Sequence, residues 1–284
     1  MSGQITKVGF LFSAAVLCAQ AQWLNYPTPG TPRTRGGKPD LFAKAPRAAN
    51  GKPDLSGVWQ TELAHAGENE RLFGASITDA VVLGDDPRTF SKYALNILAD
   101  FKPEESPLRP EGAELFRKNL RKRATESPTV RCLPQGLPRG ELFNYAPFKI
   151  LQTPGIIAVL YELDNTFRQI YTDGRKLPAD PQPSWLGYSI GHWEGDTLVV
   201  DAAGFNDQTW LDLTGHGHSE ALHLQERFHR RDFGHMDLSV TIDDPKLYTR
   251  SFTVKVTEVL IPDSDVLETV CNEDEKDLGH LAGR

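Results

Sequence analysis

From Pro147 onward the chain sets short runs of β-favouring residues at regular intervals with turn signals between them, and that rhythm narrows the fold more than any other feature. Phe148 to Gln152 meets Thr153-Pro154-Gly155, Ile156 to Leu163 meets Asp164-Asn165, and Thr166 to Thr172 meets Asp173-Gly174. Tyr188 to Trp193 and Thr197 to Ala203 flank Glu194-Gly195-Asp196, Leu222 to Arg230 and Met236 to Ile242 flank a turn at Gly234, and Ser251 to Val259 and Val266 to Cys271 complete the series. With Ser56 to Gln60 added, the pattern predicts a mostly β chain. It is an antiparallel meander barrel of about ten strands that closes its own edges.

Two stretches depart from that rhythm. Between Trp59 and Phe148, Phe90, Tyr93, Ala94, Ile97 and Leu98 fall at helical spacing within Thr89 to Phe101. Pro110 is placed to start a second helix running to Ala124. A helical insertion is therefore expected at about residues 76–124 of a single domain spanning 55–284. Residues 22–54 are rich in Pro, Gly and basic side chains, and Gly37-Lys-Pro-Asp-Leu41 recurs as Gly51-Lys-Pro-Asp-Leu55. With too few apolar residues for a core, this is an irregular N-terminal arm, a tether or a wrapping segment.

Residues 1–21 combine Lys7, an apolar run from Val8 to Ala19 and a small-residue Ala19-Gln20-Ala21 ending, the three parts of a secretory signal in order. A periplasmic or secreted location is expected. The apolar run falls short of the roughly 20 residues needed to span a bilayer, and no membrane span is expected. Cleavage after Ala21 leaves 30 basic against 38 acidic residues, a net charge of −8 with histidines neutral, which argues against nucleic acid as a partner. Only Cys132 and Cys271 then remain. Two cysteines in an exported chain most often pair, and a bridge here ties the segment entering the barrel to its last strand; two unpaired thiols are the alternative.

Chemistry concentrates between Gly204 and Arg231, which hold four of the eight histidines beside Asp207, Asp212, Glu220 and Glu226. On the strand Leu222 to Arg230, alternation puts Glu226 on the apolar face with Leu222, Leu224 and Phe228, and His223 on the other. A carboxylate on an apolar face needs a partner or a raised pKa. It is either a catalytic acid–base group, with His218 or His223 as its counterpart, or half of a buried ion pair with an arginine such as Arg168 or Arg250. Extended backbone would bring His216, His218 and Glu220 to one side, a set able to hold a zinc-like divalent ion with a position open to water. The same histidines also read as hydrogen-bonded loop residues, or as metal-free acid–base groups. Trp210 and Trp185, with Arg168 and Asp212 as polar groups, form the candidate substrate-binding set, although a tryptophan in a barrel is also simple packing. No Gly-rich phosphate loop, Gly-x-Ser-x-Gly elbow or Cys-x-x-Cys pair is present.

Pro53-Asp-Leu-Ser-Gly-Val-Trp59, Tyr171-Thr-Asp-Gly-Arg175, Trp193-Glu-Gly-Asp-Thr-Leu-Val-Val200 and Glu226-Arg-Phe228 together resemble a family of secreted bacterial proteins without an assigned activity, over about residue 50 to the end. Gly57-Val58-Trp59 also resembles the Gly-x-Trp opening of lipocalins. That likeness implies a barrel binding small apolar molecules, with its tryptophan beneath a late arginine; the helical insertion is not a lipocalin feature. Two functions follow as expectations. One is an exported enzyme of hydrolase or lyase type acting on a small organic substrate at the barrel mouth through Glu226 and His218 or His223. The other is a non-catalytic carrier of an apolar or amphipathic molecule, with residues 204–220 as a lid. A third reading makes the Pro-rich arm a contact for a partner in the cell envelope.

Overall fold

The alternation in the sequence resolves into nine strands: β1 (Gly57–Thr61), β2 (Phe148–Thr153), β3 (Ile156–Tyr161), β4 (Phe167–Tyr171), β5 (Tyr188–Glu194), β6 (Thr197–Ala203), β7 (His223–Arg230), β8 (His235–Asp243) and β9 (Phe252–Leu260). The computed structural model describes residues 26–65, 67–74, 90–143 and 146–271. The expected leader, 1–21, lies outside the described residues. The strands form a closed barrel in sequence order, β1 pairing with β9 through Trp59 and Leu260.

The expected count of ten and the wholly antiparallel pattern are both corrected. Once β1 has taken the free side of β9, no edge is left for Val266 to Cys271 to extend. That segment is held by side chains instead: the Leu267 N–H donates to Glu162 Oε2 at 2.8 Å, and Asn165 bonds both the N–H and the carbonyl of Thr269, at 3.0 and 2.7 Å. A ring of nine strands cannot alternate direction all the way round. The unavoidable parallel pair is β4 with β5, and residues 172–187 run the length of the barrel to make it.

Register fixes the two ends. The turns at 154–155, 195–196 and 231–234 lie at the arm end; Ala203 and His223 lie at the opposite, insertion end. Helix α1 (Glu68–Phe73) follows β1, and α2 is only Lys92–Leu95, shorter than the expected Thr89 to Phe101. The Ile97 N–H that would continue it donates to Asp212 Oδ2 at 2.8 Å, and Asn96 is extended and caps Leu98 through its own side chain. The apolar positions read at helical spacing are buried all the same. Helix α3 (Pro110–Glu126) starts at its proline as expected, and α4 (Arg139–Leu142) closes the insertion end.

The arm folds one turn twice. Asp40 N–H bonds Pro32 O at 2.8 Å and Asp54 N–H bonds Pro46 O at 3.0 Å. In both copies a glycine, Gly37 or Gly51, takes φ of 79°, a left-handed conformation that side-chain-bearing residues rarely adopt. Arg33 pairs with Asp263 and Arg47 with Asp196, each at 2.6 Å, so the copies dock on different sides of the barrel end. Exposed ion pairs contribute at most about 1 kcal/mol each. The Phe233 and Gly234 N–H groups add bonds to Ala43 O and Leu41 O, both 2.7 Å, and Leu55 is buried.

Inside, Trp59, Phe148, Val200, Leu224, Phe228 and Val240 pack with almost no exposure, and Cys132 bridges to Cys271 as expected. Glu258 is the lone acid of its wall. It faces inward on β9, fully buried, with Thr61 Oγ1 donating to Oε1 at 3.2 Å and Oε2 unpartnered. Burial raises its pKa well above the ordinary 4.5, and the Thr61 bond offsets only part of that. The unfolded chain releases this proton near the ordinary value and the folded chain holds it. Glu258 therefore costs stability progressively as pH rises above that value, until the folded group itself ionises. Glu258→Gln is expected to melt above the wild type at pH 8, by about 2–4 °C for each kcal/mol recovered, with the gap closing by about pH 4. An equal gap at both pH values in calorimetry would refute this account.

Candidate functional site

Within the histidine-bearing stretch, residues 209–218 are buried or nearly so. Asp212 organises it: Oδ1 accepts the N–H groups of Thr214, Gly215 and His216 at 3.0, 2.8 and 3.1 Å, and Oδ2 accepts Ile97 N–H and the His216 Nδ1–H, the latter at 2.5 Å. Burial works to raise the Asp212 pKa, but His216 and these main-chain donors outweigh it and hold the carboxylate below its usual range. Helix α3 covers the loop. Phe116 stacks on His216 at 4.0 Å, Asn119 donates to Gly215 O at 2.9 Å, and Leu115 lies so close to Gly217 that an added Cβ would stand 2.5 Å from it.

His218 is 2 % exposed, and burial lowers its pKa. Its Nδ1 lies 3.1 Å from Ser219 O and its Nε2 2.6 Å from Thr209 Oγ1. The neutral ring therefore donates from Nδ1 and accepts the Thr209 hydroxyl proton at Nε2. That is the hydrogen-bond sense of a base poised on a hydroxyl. No substrate can approach it from the side of Gly136, where even a Cβ would lie 2.5 Å from Thr209 Oγ1.

The expected metal set does not assemble. His216 and His218 are turned to different partners, Glu220 is exposed, and among the described residues no group of three His, Cys, Asp or Glu side chains is placed to hold an ion. The physical reason is local: the segment is not extended strand, so spacing of two does not bring side chains to one side. Its histidines are hydrogen-bonded loop residues.

Glu226 faces the barrel interior, as alternation requires, and its partner is Arg168 on β4. The guanidinium reaches both Glu226 oxygens, Nη1 to Oε1 at 3.0 Å and Nη2 to Oε2, while Nη1 also bonds Glu141 Oε1 at 3.0 Å and Nε bonds Ser189 Oγ at 2.9 Å. Tyr161 donates to Glu141 Oε1 at 2.5 Å. Burial first, and then the charge of Glu226, raises the Glu141 pKa well above the carboxylate range, and the two carboxyl groups share one cation. Arg168 is spent on these partners, and all four charged or phenolic groups are buried.

The remaining expected site residues stand apart. His223 lies on the outer face, half-exposed, 3.4 Å from Asp201. Asp212 spends both oxygens on its own loop and on Ile97, Trp210 is 6 % exposed and bridges Gly217, and Trp185 is half-buried on the β4–β5 crossover. Glu226 and His218 have separate sets of partners, so the acid–base pair expected from the sequence is not assembled.

Sequence reasoning missed a large opening. At the arm end a cleft of about 1050 Å³ lies between the arm and the barrel, with Tyr26, Pro29, Val58, Leu151, Phe233 and Leu260 among its mostly apolar lining. Arg230 closes its floor: the guanidinium sits 4.9 Å above the Trp59 ring and donates to the carbonyls of Asp54, Ser56, Asp232 and Phe233. Burial lowers its pKa to about 10. Lys149–Asp265 at 2.7 Å and Arg33–Asp263 at 2.6 Å mark the rim. The only sequence signal was the repeated Gly-Lys-Pro-Asp-Leu, whose meaning lay in where each copy docks.

Comparison of the chain with protein-family models, with curated proteins and with solved structures found no match.

Proposed function

We propose that the protein is an exported carrier that holds one apolar or amphipathic small molecule in the cleft between its arm and the barrel, periplasmic or secreted. The observation that carries this reading is the cleft itself, whose size is that of small-molecule sites and whose lining is mostly apolar, with Arg230 held at the floor and the Lys149–Asp265 and Arg33–Asp263 pairs at the rim. The Trp59–Arg230 stack is the packing that the lipocalin resemblance implies and supports the same reading. A disulfide favours an oxidising compartment.

Leu151 tests it cleanly, because it lines the cleft yet is 40 % exposed. A fluorescent long-chain fatty acid is expected to bind the mature protein saturably, and Leu151→Glu to weaken it about tenfold or more while melting within about 0.5 kcal/mol of the wild type. Equal affinity in the variant, or no saturable binding, overturns the assignment.

Acid–base chemistry on a small organic substrate is the second reading. One observation favours it: two buried carboxyl groups, Glu141 and Glu226, meet at Arg168, and burial raises the pKa of Glu141. It requires substrate to pass α4. Turnover lost in Glu226→Gln, with fatty-acid binding unchanged, would move the assignment to it.

A further inference from the structure

The two turns of the arm share one frame but differ at a position that matters chemically, independently of the carrier reading. Gly36-Gly37 in the first turn is replaced by Asn50-Gly51 in the second, and no other asparagine in the chain is followed by glycine. In each turn two main-chain bonds close the frame, all four at 2.9 Å. The Thr34 and Ala48 N–H groups donate to the carbonyls of Lys38 and Lys52, and the Gly37 and Gly51 N–H groups donate to the carbonyls of Thr34 and Ala48. Asn50 and Gly51 are both exposed.

Asn50 Oδ1 accepts the Lys52 N–H at 3.1 Å, which folds the side-chain amide back over the peptide it shares with Gly51. The same bond draws electron density from Cγ and is placed to hold the negative oxygen that forms when a nucleophile adds there. Gly51 has no side chain, and nothing stands within 4 Å of where a Cβ would lie, so the space beside its nitrogen is open. One restraint remains. The Gly51 N–H proton is held by Ala48 O and must leave before the nitrogen can attack, so the step waits on fraying of the turn.

We propose that Asn50 is a site of spontaneous deamidation through a cyclic imide with Gly51, and that the isoaspartate product releases the second arm turn from the barrel. Solvent hydroxide takes the Gly51 N–H proton and the nitrogen bonds to Asn50 Cγ. The Cγ–Nδ2 bond then breaks, and the leaving nitrogen takes a proton from water and departs as ammonia. A second water opens the ring. Cleavage between the Gly51 nitrogen and Cγ gives aspartate; cleavage between that nitrogen and the main-chain carbonyl carbon gives isoaspartate, whose main chain runs through the former side chain. Aspartate can still accept the Lys52 N–H and leaves the frame intact. Isoaspartate adds a carbon to the main chain between Ala48 and Lys52, and the two closing bonds cannot both be kept. Those bonds position Arg47, which donates to Gly51 O at 2.7 Å and holds Asp196 at 3.0 and 2.6 Å. Pro46 and Asp54 flank the turn and line the cleft, so its loosening slackens one wall there.

The test is incubation of the mature protein in warm, mildly alkaline buffer, followed by peptide mass mapping. A gain of about 1 Da is expected at Asn50 ahead of every other asparagine, part of it labelled by a protein-isoaspartate methyltransferase. In the aged protein, amide exchange over residues 48–54 should quicken about tenfold, while the matching residues 34–40 keep their rate. Asn50→Gly, which copies the first turn, should show neither change, and Asn50→Asp should exchange as the fresh wild type does. The proposal is overturned by a mass gain at Asn50 no faster than elsewhere, by a product free of isoaspartate, or by aged protein whose residues 48–54 exchange at the fresh rate.

Discussion

Arg168→Met is expected to destabilise the barrel by about 3–5 kcal/mol, a large share of a typical domain's total, because it strands Glu226 and Glu141 where no other cation among the described residues pairs with them. The loss belongs to the uncompensated charge, not to the missing contacts. The triple variant Arg168→Met, Glu226→Gln, Glu141→Gln should therefore recover most of it, since well-packed neutral groups replace buried ion clusters at little cost. Denaturant unfolding of the single and triple variants checks this. A single variant within about 1 kcal/mol of the wild type would show that water reaches the cluster, and would strengthen the case for chemistry at Glu226.

Opening the Cys132–Cys271 bridge should cost about 4 kcal/mol and lower the melting temperature by about 10 °C, because the bridge closes a loop across a sequence separation of 139. Among the described residues after β9, the ties to the barrel are few: the Ile261 N–H bond to Val58 O, the Lys149–Asp265 pair and the bonds from Glu162 and Asn165 are the main ones. The double variant Cys132→Ser, Cys271→Ser and the wild type under reductant should melt together. Melting unchanged in both would mean that these bonds suffice and that the loop gains nothing from closure.

Much of the barrel was legible because strands buried on one face must alternate. Met236, Leu238, Val240 and Ile242 announced β8, and Glu226 announced itself as the exception that needs a cation, with Arg168 among the arginines named for it. The last strand failed because Val266 to Cys271 has the composition of a strand but no partner edge, which only ring closure decides. The site failed for a related reason. Histidines at His216 and His218 look available in a sequence, whereas Phe116, Leu115 and Asn119 that cover them lie about 100 residues away on α3. Asp212, read as a substrate contact, is the hub of its own loop; a carboxylate followed by Leu-Thr-Gly is a turn former, and that local signal was present. The cleft had no signature beyond the repeated Gly-Lys-Pro-Asp-Leu, since it exists only between the arm and a barrel end formed elsewhere in the chain.

An odd number of strands also gives the wall a direction. The parallel pair β4–β5 is matched at only two positions, Ile170 with Ser189 and Tyr171 with Ile190, whereas β5 and β6 match at seven. A circle laced that unevenly has a zip in it. Local opening favours the place with fewest main-chain bonds to break, and here that place is inches, in molecular terms, from the deepest charge: Ser189, which steadies Arg168, is itself one of the seam residues. Opening of the seam at Ser189 would bring solvent beside the Arg168 guanidinium, so the join between the two strands running the same way is where the buried charges stand nearest to an exit.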